Sequence, residues 1–253
     1  MSQDALLEVR DLTLRFGGIT ALAGLGLRVT EGETLAVIGP NGSGKTSLFN
    51  CITGLYHPTS GGIAFRGESL IGLSPDRVTG RGIARTFQNL RLFFNMTVLD
   101  NLMLGRHLHF RKSLWAAALR LRGEEIRHRE RCEEIVEFLD LEAWRDARVG
   151  SCAYGVQKRV ELGRALATEP KLLLLDEPVS GLTAEEKDEV SYWIHEVRGR
   201  FKVTVLLVEH DLRVASRLAS RMVVLDRGEK LTEGTPEEVQ KHPGVVRAYL
   251  GDQ

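Results

Sequence analysis

From residue 5 to residue 30 the chain alternates apolar and polar positions on both sides of Gly17-Gly18, which predicts two antiparallel strands joined by a turn. TLAVI (34–38) is a continuous apolar run of the buried-strand kind. A glycine-rich turn follows it, then SLFNCITGL, with Leu48, Phe49, Ile52 and Leu55 at helical spacing. Residues 56–90 are rich in Gly, Pro and Ser and hold one short strand candidate, GGIAF, which predicts a return to the β-rich lobe. From about 97 to 168 the period becomes helical, opened by Thr97 as N-cap with Asp100 completing a variant capping box. KLLLLD (171–176) and KVTVLLVEH (202–210) are two further buried-strand runs. The helix between them carries Val190, Trp193, Ile194 and Val197 on one face. A hairpin around Arg227-Gly228 and a helical tail, PEEVQKHPGVVRAYLG, close the chain. The pattern predicts a parallel α/β core with an antiparallel β lobe and a helical insert.

Composition narrows the function. At 253 residues and 43% apolar content the chain is expected to form one or two globular domains. Lys+Arg and Asp+Glu are 34 each, so no overall field draws the protein onto nucleic acid. Three widely spaced cysteines (Cys51, Cys132, Cys152) fit reduced thiols better than a disulfide framework or a zinc site. The apolar runs are far shorter than the roughly 18 residues of a membrane span, and the N-terminus lacks the features of a signal peptide. A soluble, cytoplasmic chain is the expectation.

GPNGSGKT, Gly39 to Thr46, fits GxxxxGK[ST], follows a predicted strand and opens a predicted helix. Its glycines let backbone N–H groups curl around phosphate oxygens, Lys45 reaches the outer phosphates, and Thr46 offers a hydroxyl to Mg²⁺. Asp176 and Glu177 end a buried strand, where open α/β sheets collect ligands. Asp176 is the candidate Mg²⁺ partner, and Glu177 is placed to polarise an attacking water. His210 ends the next strand run and is expected at the same edge, within reach of a γ-phosphate. Gln88, between core and insert, offers an amide oxygen to the metal or the water.

GPNGSGKT, Phe87-Gln88-Asn89, AYGVQKR, LLLLDEP and VEHD, in this order and spacing, resemble the ATP-binding subunits of ABC transporters over essentially the whole chain. The resemblance implies a P-loop NTPase of ABC type, with a RecA-like core, an antiparallel β lobe and an inserted α-helical lobe. It implies one nucleotide-binding domain, 1–253: β lobe plus core at about 5–90 and 165–235, helical lobe at about 91–164, helical tail at 236–253. ATP contacts fall on Gly39, Pro40, Asn41, Gly42, Ser43, Gly44, Lys45, Thr46 and Ser47, with Phe16 stacked on adenine. Mg²⁺ falls to Thr46, Gln88 and Asp176. Glu177 is the catalytic base, His210 the switch histidine, and Gln88 belongs to the Q-loop. Ala153, Tyr154 and Gly155 form the signature start, offered to ATP held by a second ATP-binding subunit. That partner is a nonidentical ATPase in the cell, or a second copy in isolation. Two membrane permeases and, indirectly, an extracytoplasmic solute-binding protein complete the assembly, at the cytoplasmic face of the plasma membrane.

RTFQNLRLFFNMTVLDNLMLGRH, the AYG signature and the tail resemble the branch serving branched-chain amino-acid importers. Other solutes (urea, amides, other amino acids) are alternatives, as is a non-transport ABC clamp. The chain departs from the common pattern in lacking the signature serine, replaced by Ala153, and in carrying Val156 and Thr183 where Gln and Asp or Asn are usual. Residues 106–131 hold eight Lys/Arg against three Glu, a run expected to face anionic headgroups or a permease loop.

Overall fold

The computed structural model describes residues 5–109 and 122–250. Strands β1 (Ala5–Phe16) and β2 (Ile19–Thr30) pair antiparallel, and β4 (Ser60–Phe65) and β5 (Glu68–Ser69) extend them into a sheet ordered β2-β1-β4-β5. A second sheet, ordered β10-β9-β3-β8-β7-β6, is built on β3 (Thr34–Ile38), β6 (Ile83–Arg85), β7 (Leu172–Asp176), β8 (Thr204–Glu209) and β9 (Arg221–Asp226), all parallel. Only its edge strand, β10 (Glu229–Gly234), runs antiparallel, as the return of the predicted hairpin.

Alternation along the parallel strands separates two cores. Leu35, Val37, Leu174, Leu206 and Val208 face α1 (Lys45–Ile52) and the antiparallel sheet. Ala36, Ile38, Leu173, Leu175 and Leu207 face the opposite way, onto helices α3 (Val98–Gly105), α4 (Arg122–Phe138), α5 (Tyr154–Leu166), α6 (Ala184–Phe201) and α7 (Leu212–Leu218). A short α2 (Pro75–Gly80) lies before β6, and α8 (Pro236–Lys241) and α9 (Pro243–Leu250) form the tail. Each strand is therefore buried on both faces, which is why these segments read as unbroken apolar runs.

Three local expectations change. Helix α1 stops at Ile52 because Gly54 turns left-handed (φ +74°), so Leu55 leaves the helix and stands 48% exposed. Thr97 does cap α3, accepting the Asp100 N–H at 3.1 Å, but full reciprocal boxes form at Thr183/Glu186 and Thr235/Glu238. The basic run is partly internal. Arg106 is buried, donates to the Ala167 carbonyl at 2.8 Å and pairs with Glu169 at 3.0 Å, while Arg131 pairs with Glu134 and Glu169. Arg127 and Arg129 remain exposed. Arg111, Lys112 and Arg120 lie outside the described residues.

Candidate nucleotide site

In the parallel sheet Ile38 stands opposite Glu209, and Asp176 opposite Val208, so β3, β7 and β8 finish at one edge. The loop after β3, the Asp176-Glu177 pair and the Glu209-His210 pair therefore converge where ligands of such sheets bind. The loop depends on its glycines. Gly39 and Gly44 hold φ of +154° and +104°. A Cβ would stand 2.2 Å from the Leu225 carbonyl oxygen at Gly39, and 2.8 Å from the Ala21 carbonyl oxygen at Gly44.

Lys45 donates from Nζ to the Gly39 and Pro40 carbonyls at 2.6 and 2.8 Å. Burial pushes its ammonium below the usual lysine range, against the opposing pull of Glu177, Asp176 and Glu209. The Ser43 hydroxyl is buried with no hydrogen-bond partner, whereas Asn41, Gly42 and Thr46 are exposed and Pro40 and Ser47 half-buried. Backbone donors on a glycine loop, an unpaired buried hydroxyl and an ammonium at a helix start make a donor set that fits a polyphosphate.

Asp176 is buried, and its Oδ2 accepts from Arg85 Nη2 at 2.6 Å. Arg85 also donates to Asn50 Oδ1 at 2.7 Å and lies over the rings of Phe49 and Phe87. The Glu177 N–H donates to the Val208 carbonyl at 3.0 Å, and Glu177 holds a left-handed φ of +48°, which turns the chain sharply off the strand. Its carboxylate accepts from Gln88 Nε2 at 2.8 Å, and His210 Nδ1 lies 3.6 Å away. This brings Gln88, Glu177 and His210 together. Gln88 keeps its amide oxygen for another partner. The Thr46 hydroxyl, that amide oxygen and the Asp176 carboxylate are hard oxygen donors carried by these converging segments. They suit Mg²⁺, which keeps several waters and phosphate oxygens in its shell.

Phe16 is 47% exposed at the end of β1, edge-on to Tyr56 with ring centroids 5.2 Å apart, so it is a surface aromatic and not a core residue. Ala153, Tyr154 and Gly155 occupy a different neighbourhood, at the start of α5 against Gly181 and Glu186.

Several participants carry no local sequence signal. Lys158 and Glu161, one turn apart on α5 and both buried, reach the Gln88 segment from behind. Lys158 Nζ donates to the Gln88 carbonyl at 3.3 Å, and the Phe87 N–H donates to Glu161 at the same distance. Burial raises the Glu161 carboxyl, with Lys158 opposing. From α9, the buried Tyr249 hydroxyl lies beside the Gly39 N–H and near Asp211 and Glu209, and burial pushes the phenol up to about 12.

Glu209 is 1% exposed at the end of β8. Burial, aided by the nearby Glu177 charge, pushes its carboxyl up to about 7. The folded chain then holds this proton more tightly than the unfolded chain, where a Glu titrates near about 4.3. The stabilising contribution is whole below that value and is lost as pH rises toward 7. Glu209→Gln removes the ionisation, so at pH 8 the variant is expected to melt about 2–4 °C higher than the parent. Thermal unfolding at pH 8 and pH 4.5 checks this, with the difference shrinking at the acid end.

The family signature described as ABC transporter matches residues 22–180, and one described as branched-chain amino acid ATP-binding cassette transporter matches residues 229–253. The branched-chain amino acid transport ATP-binding protein BraF of Pseudomonas aeruginosa is 40% identical over 250 residues, 98% of either chain. LivG of Escherichia coli, of the same description, is 38% identical over the full length of both. Among solved structures, an ATP-binding cassette of an ABC transporter in its ADP conformation superposes with a TM-score of 0.87 at 31% identity, covering 98% of this chain and all of that one. A dimeric bacterial ABC transporter cassette superposes with a TM-score of 0.77 at 28% identity, covering 91% of this chain and 98% of that one.

Proposed function

The chain belongs to the ATP-binding subunits of ABC transporters, and from that premise we propose that it hydrolyses ATP to drive an importer of branched-chain amino acids. The observation that carries the solute class is the tail, where residues 229–253 match a signature described as branched-chain amino acid ATP-binding cassette transporter. The tail is also tied to the chemistry, since Tyr249 sits beside the first glycine of the phosphate loop.

In this reading the 39–47 loop wraps the phosphates, Lys45 exchanges its two carbonyl acceptors for phosphate oxygens, and Phe16 stacks on the base. Mg²⁺, when bound, would supply charge neutralisation to the phosphates, and Thr46, Gln88 and Asp176 would hold it. Glu177 accepts the proton of the attacking water, held in place by Gln88 and His210. The start of α5, with Gly155, faces ATP carried by a second subunit, and the dimeric state of a related cassette supports the presence of that second subunit. Without the signature serine, the contact at Ala153 falls to backbone N–H groups and the helix dipole.

An apolar groove of about 440 Å³ beside the Gln88 segment, lined by Leu55, Val78, Phe87, Phe93 and Leu104, is the surface we assign to a permease segment. Leu55 and Phe93 stand about half exposed there without an apolar cover. Docking there holds the chain peripherally at the cytoplasmic face of the membrane. Among the described residues no helix is long and apolar enough to cross it.

The test is reconstitution of the chain with its permeases and its second ATPase in liposomes containing the solute-binding protein. Leucine, isoleucine or valine should accelerate ATP hydrolysis several-fold. Stimulation by urea or amides, and not by these amino acids, would overturn the solute assignment.

A further inference from the structure

Helix α5 starts with nothing of its own to complete it. Its cap, Ala153, offers no side-chain acceptor, and its first turn has no acidic residue. The first N–H groups of a helix lack intrahelical partners and carry partial positive charge. Here the answer comes from another element. Glu186, in the first turn of α6, closes the capping box of its own helix by accepting the Thr183 N–H on Oε2 at 2.9 Å. Its other oxygen turns toward α5, so close that a Cβ on Gly155 would stand 2.8 Å from Oε1. Hydrogen bonds with Thr183 come first in holding this carboxyl below the usual range, against burial, and the nearby Gly155 N–H adds a smaller pull. One carboxylate thus serves two helix starts. The fit is reinforced by Tyr154, whose ring lies 3.4 Å from where a Cβ on Gly181 would stand, seating α5 on the segment that leads from Glu177 to Thr183.

We propose that Glu186 is a positioning residue of the shared ATP site: its carboxylate is a resident anion at the start of α5, and the phosphate brought by a second chain has to displace or outweigh it. This rests on the half-site reading of Gly155 given above. Closure of two chains on ATP then exchanges one anion for another at each α5 start. The net attraction is smaller than a bare helix start would give. Glu186 also links the two events mechanically, because the carboxylate that meets Gly155 through Oε1 holds the Thr183 N–H, on the segment after Glu177, through Oε2.

The test uses chains slowed in hydrolysis by E177Q, with ATP-driven self-association measured by analytical ultracentrifugation. E186Q keeps the shape and most hydrogen bonds of the capping box while removing the charge. Added to E177Q, it should tighten association about tenfold at low salt, an effect summed over two half-sites. The gain should shrink at high salt, where charges are screened. E185Q, an exposed neighbour in the same turn, removes the same net charge away from Gly155 and should change association less than twofold. Equal association with and without E186Q, or an equal gain from E185Q, would overturn the inference while leaving the half-site intact. An E177Q chain that does not associate in ATP would overturn the half-site reading, and this inference with it.

Discussion

Arg85→Leu is expected to lower the free energy of unfolding by about 3–5 kcal/mol, the largest single loss anticipated outside the apolar cores. Arg85 and Asp176 are both about 5% exposed at the side chain, and they pair at 2.6 Å. Removing the guanidinium leaves a largely buried carboxylate without the cation that faces it. A buried charge without its partner costs far more than the pair contributes when intact. The same guanidinium satisfies Asn50 Oδ1 and stacks on Phe49 and Phe87, so the variant also loses a tie between α1 and the Gln88 segment. Arg85→Lys keeps the charge but not the planar fork, and should lose roughly half as much. Urea titration of the parent and both variants, with the midpoint and the slope fitted separately, measures the difference. Arg85→Leu unfolding within 1 kcal/mol of the parent would show that the pair is incidental.

Glu177→Gln is expected to reduce steady-state ATP turnover by about 10²–10⁴-fold, the range for loss of a positioned general base. ATP affinity should move less than about threefold, because the groups proposed to bind phosphate lie on another loop. The geometry argues for the base at this position. Glu177 is held off the strand in a left-handed conformation that costs a residue with a side chain of order 1 kcal/mol, a strain typical of functional sites. Its carboxylate is oriented from both sides, by Gln88 Nε2 at 2.8 Å and by His210 at 3.6 Å. Gln88→Ala and His210→Ala should each lower turnover by a smaller factor, since each leaves the other support in place. Turnover by Glu177→Gln within twofold of the parent would assign the proton transfer elsewhere.

The strands were legible because burial on both faces leaves no polar residue to blur the run. The phosphate loop was legible because glycine geometry, lysine and helix start must occur within eight consecutive residues. Leu55 misled by keeping helical spacing across Gly54, where one left-handed residue ends the helix and periodicity cannot register it. Arg85, Lys158 and Glu161 were invisible for a different reason. Their partners lie on other elements, 91 residues away for Arg85 and 70 for Lys158, and no local pattern encodes such a meeting. One hint existed for Arg85, a cation ending a short apolar strand beside the strand that carries Asp176. The basic run hid internal pairs, because charge count says nothing of who pairs with whom, and Arg106 and Arg131 both reach Glu169. Glu186 reads as an ordinary capping-box residue until α5 is brought against it.

In the proposed assembly the phosphate loop of one chain and the Gly155 helix start of another share one ATP. Asn41 and Tyr154 are both exposed, one on each half. The native thiols are buried, and burial pushes Cys51 and Cys132 up to about 11, so they react slowly with maleimides. The direct measurement is cross-linking, by a short bis-maleimide, of an Asn41→Cys chain mixed with a differently tagged Tyr154→Cys chain, both carrying Glu177→Gln. The account predicts a mixed-tag dimer that forms with ATP and Mg²⁺ and not with ADP. Cross-linking that is absent with ATP, or equally strong without nucleotide, would contradict it.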